Sequence, residues 1–312
     1  MEPGTTPGGH LVEWRAMGTG CRTWLLGPDA EGAARMVITE VRRLEERWSR
    51  FRADSDISRV NTAEGSRIAV APETIAILRE AIAWWRATEG LFDPTVLKAL
   101  VAAGYDRDFA VGHGPILDGL AAPGCTGIVL DDELGLVQLP PGVAIDLGGI
   151  GKGSAVDHVV GSLRHLDGGL IDLGGDLRVW GDAPTGDGWP VAVEDLRDGT
   201  TAAVLWLAQG AVATSSTLRR AWADGGRTAH HLIDPRTGRP VRGEVVSVTV
   251  VAGRAAAAEV LAKASLTTGT VTAARRLLEH HGVAALIVPR TGSPLPVGGF
   301  DALRWSATWE VA

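Results

Sequence analysis

The sequence predicts an α+β fold, and three observations carry that expectation. Apolar residues recur at helical spacing in two early segments. Short β-branched runs separated by Gly, Pro and Asp clusters fill the middle, and two more helical segments precede a late apolar run. Helices, then strands, then helices differ from the regular alternation of a parallel α/β sheet. The order points to a mixed or antiparallel sheet core flanked by helices.

In 31–48, Val37, Val41, Leu44 and Trp48 form one apolar stripe, and Ile75, Leu78, Ile82 and Trp85 form a second, so both segments are expected as amphipathic helices. The runs V-A-I-D (143–146), G-L-I-D-L (169–173), L-R-V-W (177–180), P-V-A-V-E (190–194), V-L-W-L (204–207) and S-V-T-V-V (247–251) read as strands between turn clusters. Segments 254–266 and 271–280 read as helices, A-A-L-I-V-P (284–289) as a strand, and 305–311 as a closing strand. Residues 1–10 are expected to be disordered. No Pro/Ser-rich linker divides the rest, so 11–312 is expected to be one catalytic unit with two lobes. The tetrapeptide D-L-G-G occurs at 146–149 and again at 172–175; two strand ends with such glycine turns could lie side by side and bare their backbone to a ligand.

Composition narrows the function. With 312 residues, 45% of them hydrophobic, the chain can bury a sizeable core. A net charge of -7, with no basic run longer than a pair, argues against nucleic acid as a partner. Cys21 and Cys125 form no C-x-x-C, which suggests neither a disulfide framework nor a zinc site and fits a reducing compartment. The first residues lack the basic start and apolar stretch of a signal peptide, and no run reaches membrane-span length; the expectation is a cytoplasmic protein.

The segment A-I-D-L-G-G-I-G-K-G-S-A-V-D (144–157) invites a nucleotide-loop reading, but two positions refuse it. Gly153 follows Lys152 where a P-loop needs Ser or Thr, and Asp146 stands where its first glycine belongs. Gly149, Gly151 and Gly153 are spaced G-x-G-x-G, which is not the dinucleotide fingerprint either. Glycines around one lysine at a helix start still favour an anion, because they let backbone N–H groups come close to it. An ordinary solvated lysine is the plainer reading.

Six segments in order change the balance: M-G-T at Met17, Gly18 and Thr19; S-R-F-R-A-D-S-D-I-S-R-V-N at 49–61; F-D-P-T-V at 92–96; D-L-G-G-I-G-K-G; L-G-G-D ending in Asp176; and A-T-S-S followed by H-L-I-D-P-R-T-G-R-P. Together they resemble the ApbE family, the FAD:protein FMN transferases, over nearly the whole chain. The resemblance implies cleavage of the FAD pyrophosphate, attachment of FMN through a phosphoester to a Ser or Thr of an acceptor protein with an FMN-binding domain, and release of AMP. It leaves open an FAD pyrophosphatase yielding FMN and AMP, or a non-catalytic FAD-binding protein.

It also implies roles. Lys152 is expected at the pyrophosphate or flavin, and His231 as the general base, since imidazole accepts a hydroxyl proton near neutral pH. His230, on the opposite face of an extended segment, is the weaker choice. Asp234 and Thr237 are expected as adjacent polar contacts, although a D-P-R-T-G turn would use them locally. Ser49, Phe51, Ser55, Asp56, Ser58 and Asn61 match the segment lining the flavin side, where Ser55 could equally cap a helix and Phe51 could stack on a ring. Met17, Gly18, Thr19, Asp93, Asp146, Gly149, Asp176, Thr214 and Ser215 complete the expected FAD contacts. Two departures stand out. Ser154 replaces a usual tyrosine, and the magnesium site aligns with the Gly151 carbonyl, Glu259 and Lys263 in place of Asp and Thr partners. A protonated lysine offers a metal no lone pair. An ordinary i,i+4 ion pair on a solvated helix face is the alternative for Glu259 and Lys263.

Overall fold

The computed structural model describes residues 5–6, 9–108, 111–184, 186, 188–224 and 226–304. The expected closing strand at 305–311 lies outside them. Of the first ten residues, expected to be disordered, 1–4, 7 and 8 also lie outside, whereas Thr5–Thr6 pairs with Gly9 and His10.

One nine-stranded sheet organises the chain: β1 (Thr5–Thr6), β2 (Gly9–Ala16), β3 (Thr19–Leu26), β4 (Gly168–Leu173), β5 (Asp176–Gly181), β6 (Gly210–Ser216), β7 (Val245–Ala252), β8 (Ala284–Pro289) and β9 (Leu295–Val297). Each strand pairs antiparallel with the next, so the sheet is antiparallel throughout rather than mixed. Its helices enter as insertions. Between β3 and β4 come α1 (Ala30–Trp48), α2 (Asp56–Asn61), α3 (Pro72–Ala87), α4 (Leu97–Ala102) and α5 (Gly151–Gly161). Between β7 and β8 come α6 (Ala255–Thr267) and α7 (Val271–His280).

Strand alternation sorts the core into two sides. Ile171 and Leu173 of β4, Ala211 and Ala213 of β6, and Val248 and Val250 of β7 pack with the helices. Val179, Val212 and Leu286 face the opposite side, against a hairpin of 189–195 and 200–207 that buries Trp189 and Leu205 together with Phe300. On β5 the helix face departs from this pattern: it presents Asp176 and Arg178, and Arg178 pairs with Asp157 of α5 at 2.7 Å. Asp157 also accepts the amides of Ala255 (3.0 Å) and Ala256 (3.1 Å), so a carboxylate of α5 caps the start of α6. Helix α6, A-A-A-A-E-V-L-A-K-A-S-L-T, is apolar nearly all round and is enclosed by β6, β7, α5 and α7. Its Glu259 is therefore buried, and the solvated-face alternative for Glu259 and Lys263 is excluded.

One strand expectation needs correcting. V-A-I-D joins no sheet: the Ile145 amide donates to Asn61 Oδ1 (2.7 Å), and its carbonyl accepts from Asn61 Nδ2 (2.8 Å). The chain before the first D-L-G-G is thus held by a side chain, and only the second D-L-G-G lies in a strand turn, between β4 and β5. The pair β2 and β3 was not expected; Met17 and Gly18, at φ 49° and 66°, form its two-residue turn. Among the described residues no helix is long and apolar enough to cross a membrane.

Candidate active site

The insertions converge on one cleft on the helix side, with a cavity of about 190 Å³. Met17 and Gly18 of the β2–β3 turn, Phe51, Asp93, Asp146, Gly149, Gly151, Lys152, His231 and Lys263 all line it. Segments distant in sequence therefore meet in space.

One wall is aromatic and cationic. The Arg50 guanidinium lies 4.1 Å from the centre of the Phe51 ring and 4.7 Å from that of Tyr105. Its Nε meets Asp146 Oδ2 at 2.6 Å, and its Nη2 donates to the Tyr105 carbonyl at 2.7 Å. Asp146 in turn accepts the Gly148 amide (2.8 Å), which fixes the D-L-G-G loop. Arg50, Tyr105 and Arg220 are cleft residues that sequence reasoning did not select. Arg50 stood within a quoted motif; Tyr105 and Arg220 stand in irregular segments without a periodic signal.

Another part of the cleft holds buried charge. Lys152 Nζ lies 2.5 Å from Asp176 Oδ2 and 2.7 Å from Glu259 Oε1. Lys263 Nζ shares that Glu259 oxygen at 2.8 Å, and the Gly153 amide donates to Oε2 at 2.8 Å. Burial alone would raise the Glu259 pKa, but the two ammonium groups hold it below the usual range. Asp176 is raised, by burial first, although Lys152 opposes the shift. Lys152 is raised despite burial because Asp176 and Glu259 face it, while burial lowers Lys263.

Gly153 has a different task from the one expected. A Cβ there would lie 2.5 Å from the Ala255 carbonyl oxygen, so its bareness lets α5 and α6 cross closely, and its amide serves Glu259. Gly149 does open the cleft, since a Cβ would meet Phe92 at 2.8 Å.

His231 and His230 divide cleanly. His230 contacts the Val241 carbonyl through Nε2 (3.0 Å) and accepts the Leu232 amide at Nδ1 (3.3 Å), so both nitrogens are occupied. His231 lines the cleft, and its Nδ1 is shielded from solvent without a hydrogen-bond partner. Burial, then the charges of Lys263 and Arg220, drive its pKa well below the usual value, so the ring is neutral.

Ser49 also lines the cleft, and the remaining expected contacts lie outside its lining. Ser55 caps α2 by accepting the Ser58 amide (3.0 Å), and buried Asp56 accepts from Ala71 (3.0 Å) and Thr74 (2.8 Å). Asp234 binds Arg236 within its turn (2.9 Å), and Thr237 serves the same turn. Thr214 pairs with Thr249 at 2.8 Å, and buried Ser215 lines no part of the cleft. Thr19 packs beneath the Gly174 turn, and Ser154 donates to Glu80 at 3.2 Å. Asp176 and Glu259 stand behind the lysines rather than at the surface of the cleft.

The magnesium ion implied by the resemblance does not fit this donor set. Glu259 is already held by two ammonium groups and the Gly153 amide, and Lys263 puts a positive charge at a position that the resemblance gives to a metal ligand. Among the described residues, no group of three His, Cys, Asp or Glu side chains could hold a metal.

The ApbE family model matches residues 17–287. The chain belongs to the ApbE family. The FAD:protein FMN transferase of Salmonella typhimurium is 28% identical to it over 92% of this chain and 86% of that protein. That of Vibrio cholerae serotype O1 is 31% identical over 68% of this chain and 67% of the other. The crystal structure of the ApbE protein of Thermotoga maritima covers 96% of this chain and 100% of its own, with a TM-score of 0.86 at 27% identity. The segments M-G-T, S-R-F, F-D-P-T-V, D-L-G-G-I-G-K-G and H-L-I-D-P thus contribute to one cleft, whereas L-G-G-D and A-T-S-S do not line it.

Proposed function

We propose that the protein transfers FMN from FAD to a Ser or Thr hydroxyl of an acceptor protein with an FMN-binding domain. The hydroxyl oxygen bonds to the FMN phosphorus, the bond from that phosphorus to the AMP oxygen breaks, and AMP leaves. The observation that carries this reading is the neutral His231 in the same cleft as two ammonium groups. Phosphoryl transfer asks little covalent chemistry of a protein; it needs positioning, positive charge at the diphosphate and a proton acceptor.

Each need has a residue. The wall of Arg50, Phe51 and Tyr105 suits a flat isoalloxazine ring. Lys152 and Lys263 face the diphosphate, and Arg220, which makes no ion pair among the described residues, adds a third cation. His231 takes the hydroxyl proton, and its depressed pKa keeps it unprotonated and ready at neutral pH. A cytoplasmic setting is part of the proposal, because Cys21 and Cys125 are both buried free thiols.

The test is His231→Ala assayed with FAD and such an acceptor. FAD binding should persist while AMP release slows ~10²- to 10⁴-fold, the usual worth of a general base. AMP release at the wild-type rate would remove His231 from the mechanism.

A further inference from the structure

We infer that Lys263 is the resident counter-cation of the diphosphate site, so that the protein binds the diphosphate of its ligand without a divalent metal. The inference deepens the FAD reading above and rests on it only for the identity of the dinucleotide. Four buried charges, Lys152, Asp176, Glu259 and Lys263, form one linked set held by contacts of 2.5 to 2.8 Å. The set is neutral in sum but polar in arrangement. The lysine side chains keep 17% and 16% exposure and line the cleft, whereas Asp176 and Glu259 keep 6% and 1% and lie behind them.

A ligand entering the cleft therefore meets ammonium groups backed by carboxylates. That order suits an anion with several oxygens and repels a free divalent cation. Glu259 is already committed: Oε1 accepts from both lysines and Oε2 from the Gly153 amide, on a side chain only 1% exposed. A divalent metal at Glu259 would stand beside two ammonium groups inside the protein, where repulsion between like charges is least screened. Each ammonium carries three N–H groups, so Lys263 can keep its bond to Glu259 and still donate to a diphosphate oxygen.

The test uses wild type, Lys263→Thr and Lys263→Arg, with folding of each checked by thermal melting. Manganese binding is read by electron paramagnetic resonance, and binding of FAD and of inorganic pyrophosphate by calorimetry, in EDTA and in magnesium. Expected for wild type are no manganese bound without ligand and affinities for both ligands that agree within about twofold in the two buffers. In EDTA, Lys263→Thr should lose ~10- to 100-fold in pyrophosphate affinity, as for a lost charge-assisted contact, and Lys263→Arg should retain most of it. Stoichiometric manganese on the ligand-free wild type, or a tenfold loss of wild-type affinity in EDTA, would overturn the inference even if neither variant folds. Pyrophosphate bound in EDTA with no FAD binding in either buffer would leave this inference standing and sink the FAD reading instead.

Discussion

Gly153→Ala separates two uses of a glycine-rich loop. The added methyl would stand 2.5 Å from the Ala255 oxygen and 2.6 Å from both the Ala255 carbonyl carbon and the Ala256 nitrogen, all main-chain atoms that cannot rotate away. Restoring ordinary contact needs α5 and α6 to part by roughly 1 Å, and overpacking of that kind costs ~1–3 kcal/mol. At ~2.1 cal/mol/K of unfolding entropy per residue, a chain of 312 residues loses roughly 1.5 °C in melting temperature per kcal/mol. The separation also lengthens the Gly153 to Glu259 bond, now 2.8 Å, and loosens the charge set behind the cleft. Two controls share the helix. Gly151→Ala meets nothing nearer than 3.9 Å, and Gly161→Ala has open space around it, so both should melt at or above wild type. Thermal melts and FAD titrations of the three variants form the assay. Gly153→Ala melting with wild type while losing FAD would refute the packing argument and return the glycine to an anion cradle.

Further outcomes follow from individual contacts. Because the folded pKa of His231 lies below its unfolded value, the unfolded chain takes up a proton as pH falls through about 6.5 and the folded protein does not; wild type should lose up to ~1.4 kcal/mol of stability per pH unit there from this group. His231→Gln removes that contribution, so urea melts at pH 7, 6 and 5 should show a shallower slope, and equal slopes would contradict the buried neutral ring. Asn61→Ala strips both partners from the Ile145 main chain and should cost ~2–4 kcal/mol in denaturant melts, whereas a change under ~0.5 kcal/mol would show the loop is held otherwise. Arg50→Lys gives up the planar contact with Phe51 and Tyr105 and should weaken FAD binding roughly five- to thirtyfold in a fluorescence titration; unchanged affinity would take that wall out of flavin binding.

Helices α1, α3, α6 and α7 and strand β8 were legible because apolar spacing reports directly which face is buried. V-A-I-D misled because its composition is that of a strand while its main-chain bonds go to Asn61, 84 positions away, which no local pattern can report. The β2–β3 hairpin does alternate, as in H-L-V-E-W-R-A, and its Met17-Gly18 turn was in view only as a motif. In the candidate site, motif order located Lys152, His231 and the D-L-G-G loop, while Arg50, Tyr105 and Arg220 went unread because single residues in irregular chain acquire neighbours only through the fold. Ser55, Asp234 and Thr237 show the converse, since a motif residue can hold its own turn, and Asp56 instead ties α2 to the start of α3. Lys263 was visible as a departure, and only the enclosure of α6 shows that its charge is turned inward.

The most direct test of the proposed transfer is intact-mass analysis of an acceptor with an FMN-binding domain, incubated with FAD and catalytic amounts of this protein, alongside quantitation of AMP. The account predicts that the acceptor gains one FMN less water on a Ser or Thr, with one AMP released per modified acceptor. AMP formed while the acceptor mass stays unchanged would make water the attacking group and the protein a pyrophosphatase. Binding of FAD with neither AMP nor a mass change would contradict catalysis altogether.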